Sequence, residues 1–162
     1  MRTTGGMLAL ALALAGGVHA DDKVEAKGSK VEFDVHSGHF EKNNAGLKGD
    51  ESFLAFTDRA GFDKIVGVGA TMTKQNFVPK DAFDKKMVVA VIHRGNAVWT
   101  YMVEKVTADG DTLYVQYEAK KGPEAANTKY ASPLIVSVDK GKYTTVVFLE
   151  NGKKAGTVKL DK

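Results

Sequence analysis

The chain has 162 residues, 43% of them hydrophobic and 27% charged, a balance that predicts one ordinary globular domain and excludes disorder, a collagen-like repeat or a membrane bundle. Its 23 Lys and Arg against 20 Asp and Glu give +3, or +2 (22 against 20) once Arg2 leaves with a leader. That excess is too small, and too evenly mixed with acids, to predict a nucleic-acid partner. There is no Cys, which excludes disulfides, thiol catalysis and cysteine-zinc sites.

Residues 1–20 have the layout of a secretory signal peptide. Arg2 supplies the positive start, residues 7–15 (MLALALALA) the apolar centre, and Val18, His19 and Ala20 a small-residue cleavage site. Gly16, Gly17 and His19 break the apolar run, so it falls short of the roughly 18 residues a membrane anchor needs. Cleavage after Ala20 is expected, followed by no stable membrane insertion. With no Cys to accept a lipid, the mature chain is expected in the periplasm or secreted.

Residues 21–30 are charged and aperiodic, as a mobile lead-in would be. Val31, Phe33 and Val35 then alternate with Glu32, Asp34 and His36, the period of a strand with one buried face. Residues 37–50 hold Gly38, Asn43, Asn44, Gly46 and Gly49 and read as a loop. SFLAF at 52–56 predicts a strand. Thr57 and Asp58 offer helix-capping oxygens ahead of Phe62, Ile65 and Val66, so one short helix should end near Gly67 or Gly69. Pro79 and Asp81 mark a turn, with Phe77 and Phe83 packing down.

MVVAVI at 87–92 is a continuous, β-branched apolar run that suits a central strand covered on both faces. A strand over 98–106 follows, then turn chemistry at 108–111, then a second arm at 113–119 with Leu113, Val115 and Tyr117 on one face. Residues 120–133 read as a polar loop and 134–138 as another strand. Strands at 143–149 and 156–160 flank Asn151 and Gly152, a hairpin signal because both central residues of a type I′ turn need positive φ. The expectation is a mainly β (α+β) domain over 31–162: a compact antiparallel sheet or partly closed barrel of seven to eight short strands with one short helix.

The order FDKKMVVAV, a loop, TYMVEKV, DGDTLYVQYE, a polar loop, SPLIVSVDK and TTVVF resembles the C-terminal domain of the protease-complex subunit PrcB family. The upstream SFLAFTDRAGFDKIV is similar to that domain's strand-plus-helix opening, so the likeness spans roughly two-thirds of the mature chain. Where the family usually carries Thr-Gly-Gly-Tyr, this chain has Gly95, Asn96, Ala97, Val98, Trp99, Thr100 and Tyr101, with Tyr101 at the aromatic position. The resemblance implies an exported, non-catalytic protein that associates with or stabilises another protein, a protease in the family's case.

The residues themselves offer little catalytic chemistry. There is no G-x-S-x-G or S-x-x-K, and Gly67-Val68-Gly69 lacks the third glycine and the setting of a nucleotide loop. A hydrolase would need a Ser or Thr within reach of His93 or another base. His36 and His39, near Asp34, Glu32 and Glu41, raise a metal or small-ligand alternative. In a strand, however, His39 points away from the Asp34 and His36 face, and no third ligand cluster accompanies them. No metal, cofactor or catalytic residue is therefore expected. Partner binding is expected from loops over 94–99 and 120–133 on a rigid β scaffold, through Asn96, Trp99, Lys129 and Tyr130.

Overall fold

The computed structural model describes residues 23–69 and 74–160; the predicted leader and its cleavage point lie outside them. In chain order the elements are β1 (Ser29–Lys30), β2 (Phe33–His36), β3 (His39–Glu41), β4 (Glu51–Phe56), α1 (Arg59–Ile65), β5 (Val66–Val68) and α2 (Ala82–Lys85). They continue with β6 (Lys86–Gly95), β7 (Ala97–Asp109), β8 (Thr112–Glu124), β9 (Tyr130–Asp139), β10 (Thr145–Glu150) and β11 (Lys153–Lys159). The protein is mainly β, as the strand spacing predicts. The described residues hold eleven strands rather than seven or eight, in three sheets that do not close into a barrel.

A five-stranded sheet (β1-β7-β8-β10-β11) packs against a four-stranded one (β2-β9-β6-β4), and β3 pairs with β5 in a small ribbon. β6 explains the arrangement. Met87, Val89 and Val91 point into the sandwich, where they meet Val115 and Tyr117 of β8, Val136 and Val138 of β9 and Phe148 of β10. Val88 and Ala90 point the other way, under Phe56, Phe62 and Phe83 from β4, α1 and α2. A strand buried on both faces has no use for polar alternation, which is why the run reads as unbroken apolar sequence. The predicted single antiparallel sheet needs one more correction: β8 and β10 pair in parallel. Between them the chain crosses to the other sheet as β9 and returns, so β10 re-enters with the direction of β8.

Asp58 caps α1 through its side chain, accepting from the Gly61 N–H at 2.8 Å. The helix ends at Ile65 rather than at a glycine, because extended Val66 opens β5. β5 needs a partner, and the segment predicted as loop supplies it as β3. The turn predicted at Pro79 and Asp81 leads into a second short helix, α2. Phe83 is buried there, whereas Phe77 keeps 37% of its surface exposed with its ring edge-on to His39. Residues 24–30 are tied to the sheet: Val24 N–H donates to the Gly152 carbonyl and Ala26 N–H to Gln116 Oε1, and β1 pairs with β7.

Both predicted loops contract. β6 runs to Gly95 and β7 starts at Ala97, so the 94–99 loop is a sharp turn at Asn96, made possible by a Gly95 φ of 144°. β8 extends to Glu124 and β9 begins at Tyr130, leaving residues 125–129 as connection. Polar sequence there marks strand ends with both faces wet, which alternation cannot flag. The Asn151 and Gly152 turn is as predicted, with φ of 51° and 80°.

Candidate functional site

Alternation along β6 places its last two side chains in different layers. His93 continues the face of Met87, Val89 and Val91 into the sandwich and is 4% exposed. Its Nδ1 lies 2.9 Å from Tyr101 Oη and its Nε2 3.2 Å from Glu150 Oε2. Tyr101 donates to the Ser132 carbonyl at 2.6 Å and Tyr117 donates to Glu150 Oε2 at 2.9 Å. With the Tyr101 proton so committed, His93 Nδ1–H is the donor to Tyr101, and Nε2 faces the Glu150 carboxyl. Trp99 covers the cluster, its ring stacked on His93 at 4.2 Å and 17°, while its backbone N–H donates to Ser132 Oγ.

Burial pushes the Glu150 carboxyl up, but hydrogen bonds with His93 and Tyr117 more than offset it, so the carboxyl sits below its ordinary value. Burial raises the Tyr101 and Tyr117 phenols above theirs, keeping both as neutral donors. This is a satisfied buried network joining strands of both sheets. The sequence names His93 only as a base that a hydrolase could use; its place on the Met87, Val89 and Val91 face was the available signal for this buried network.

Arg94 turns into the layer outside the four-stranded sheet. Its Nε donates to Glu41 Oε2 at 2.7 Å, and its Nη1 donates to Ser52 Oγ and the Gly49 carbonyl at 3.1 and 3.3 Å. Its Nη2 is shielded from solvent and has no acceptor among the described residues. Two adjoining depressions meet at this side chain. One, of about 420 Å³, is lined by Phe40, Glu41, Lys42, Arg94, Lys129 and Tyr130 among others. The other, of about 560 Å³, is lined by Asp50, Arg94, Gly95, Asn96, Asn127 and Lys129 among others.

Of the four partner-binding residues expected from sequence, Asn96, Lys129 and Tyr130 therefore come together around Arg94. Asn96 and Lys129 are exposed and Tyr130 is half-buried. Trp99 belongs instead to the His93 network and is half-buried. Glu41 enters the sequence reading only as a neighbour of His36 and His39, and Arg94 only as the start of the 94–99 loop; they lie 53 residues apart, and the pairing of β3 beside the sheet brings them into contact.

His36 and His39 do turn toward one segment, 74–79, around the bend at Gly38. His36 Nδ1 lies 3.2 Å from the Asn76 carbonyl and its Nε2 2.8 Å from Ser137 Oγ. His39 Nε2 accepts from the Val78 N–H at 3.0 Å, and its Nδ1 donates to the Gly67 carbonyl at 3.2 Å. All four ring nitrogens are engaged, and no group of three or more metal-binding side chains converges among the described residues. Burial holds both imidazoles below their ordinary value. Ser137 Oγ and His36 Nε2 make the pairing a hydrolase would need, with Ser137 0% exposed. The pair itself lines a cavity of about 410 Å³, together with Asp81, Asp84 and the Lys86–Asp34 ion pair among others.

No helix among the described residues is long and apolar enough to cross a membrane. Comparison with family models, curated proteins and solved structures returns no match to this chain.

Proposed function

We propose that this chain is an exported, non-catalytic binding protein that contacts or stabilises a protein partner, a protease in the reading that the PrcB resemblance favours. The contact surface is the face around Arg94, made by the Gly95 and Asn96 turn, residues 127–130 and the start of the 42–50 segment. One observation carries this reading: three residues expected from sequence to bind a partner line two contiguous depressions that share a fixed arginine. The surface sits on strand ends of a doubly covered sheet, and a rigid scaffold keeps its binding groups pre-organised. Trp99 contributes through the network beneath, so its loss would perturb the fold together with the face.

The test uses the leaderless protein as bait in periplasmic extract. Asn96→Ala and Lys129→Glu alter exposed side chains at this face, and Glu118→Lys alters an exposed side chain on the other sheet. The expected result is a partner retained by wild type and by Glu118→Lys and lost from the other two. Equal recovery by all four proteins would remove this surface from consideration. The metal or small-ligand alternative predicts instead a ligand-dependent rise in melting temperature that His36→Ala abolishes.

A further inference from the structure

We infer that His39 is a proton-operated latch: as a neutral ring it holds residues 75–79 against the β3 and β5 ribbon, and as an imidazolium it releases residues 77–79. The inference stands apart from the partner surface, because it concerns how the fold answers acid. Residues 75–79 belong to no helix or strand and are fastened from outside. At one end Asn76 is tied to β2 and Ser37: its N–H donates to Ser37 Oγ at 3.0 Å, its Nδ2 donates to the Val35 carbonyl at 2.7 Å, and its carbonyl accepts from Ser37 N–H at 2.9 Å and from His36 Nδ1 at 3.2 Å. At the other end Arg59 Nη1 donates to the carbonyls of Val78 and Pro79. Between them, Val78 N–H donates to His39 Nε2 at 3.0 Å and the Phe77 ring stands edge-on to the imidazole at 5.7 Å.

Only the neutral ring can make that middle bond. The Gly67 carbonyl can only accept, so Nδ1 carries the proton and Nε2 is the bare nitrogen that takes the Val78 N–H. A proton on Nε2 sets two N–H groups against each other. His36 differs, because its Nε2 faces the Ser137 hydroxyl, which can donate or accept; a protonated His36 keeps both of its contacts. Acid therefore cuts the tie at Val78 and spares the one at Asn76. Pro79 lines the cavity of about 410 Å³ with His36 and Ser137, so release of 77–79 moves one wall of that cavity.

The surroundings do not compensate a charge on His39. Arg59 and Asp63 face it from α1 and His36 from β2; β5 and residues 75–79 bring no ionisable side chain, and Lys74 and Lys80 flank the segment. Asp63 is already paired with Arg59, and Glu41 on the same strand with Arg94. Burial above all, then His36 and Arg59, holds the imidazole below its ordinary value against the Gly67 carbonyl and Asp63. A released His39 has an ordinary value of about 6.5 and a latched one lies lower, so closure is complete above about pH 6.5 and is lost as pH falls toward the latched value.

Amide hydrogen exchange at Val78, corrected for the intrinsic rate and followed from about pH 7.5 to about pH 5, tests this. The expected result is a protection factor that is constant above about pH 6.5 and falls about tenfold per pH unit below it, until the latched ring itself titrates. About 1 M urea should leave that fall unchanged, because a local opening exposes little surface. His39→Phe keeps a ring between Phe62 and Phe77 but has no acceptor, so Val78 should exchange readily with no pH step. His36→Asn removes the second histidine, and the step should persist. Protection that stays flat with pH, a loss that urea enhances severalfold as global unfolding would, a step that survives His39→Phe, or a step that disappears in His36→Asn would overturn the latch.

Discussion

Glu150→Ala removes the carboxyl that Tyr117 Oη meets at 2.9 Å and His93 Nε2 at 3.2 Å. A buried donor left without a partner costs about 1–3 kcal/mol, and truncating one side of a buried pair about 3–5 kcal/mol. The Glu150 side chain is 18% exposed, so water can enter part of the space, which places the expected cost near 2–3 kcal/mol. Glu150→Gln keeps the shape and can still bond both neighbours, so only the charge-assisted part is lost, about 1 kcal/mol. Urea unfolding of the chain from residue 21 measures both, with Trp99, the sole tryptophan, reporting from its stack on His93. The folded Glu150 carboxyl lies below its unfolded value, so its stabilisation is complete above an unfolded value of about 4.3 and is lost as pH falls through the folded one. The gap between wild type and Glu150→Gln should therefore be open at about pH 7 and close toward about pH 3. An alanine variant within about 0.5 kcal/mol of wild type, or a glutamine gap that ignores pH, would refute the network's role.

Three other outcomes are expected. His36 and His39 are held below their ordinary value by burial, so the stability they confer is complete above about pH 6.5 and falls as acid protonates them; a urea midpoint flat between about pH 7 and 5 would contradict this. Zinc should leave the melting temperature unchanged, because every ring nitrogen of the two histidines is already bonded; a rise that His36→Ala removes would support metal binding instead. Asn151 adopts a φ of 51° and bonds both the N–H and the carbonyl of Ala119, extending the parallel β8 and β10 ladder by one side chain. Asn151→Ala loses the bonds and adds strain, whereas Asn151→Gly loses only the bonds, so denaturation should rank alanine about 1 kcal/mol below glycine.

The parts of the fold legible in the sequence were those set by one face of one element. The run at 87–92, the alternation of Leu113, Val115 and Tyr117, the Asp58 cap and the Asn151 turn all announce themselves locally. The parts that stayed hidden depend on what another segment does. β3 is three residues of loop-like sequence that become a strand because β5 lies beside them, and the parallel β8 and β10 pairing depends on β9 crossing between sheets. The candidate site divides along the same line. Asn96, Lys129 and Tyr130 were named from their types and positions, and they line adjoining depressions, whereas Arg94 with Glu41 and His93 with Glu150 are long-range pairs, invisible until the strands meet.

The central claim is that a protein partner sits on the Arg94 face. A photo-crosslinking residue placed at position 129, at position 96 or, as a control, at position 118 tests it most directly in periplasmic extract. The account predicts one discrete adduct from 96 and 129, competed away by unlabelled protein, and none from 118. Adducts from all three positions alike, or from 118 alone, would contradict it.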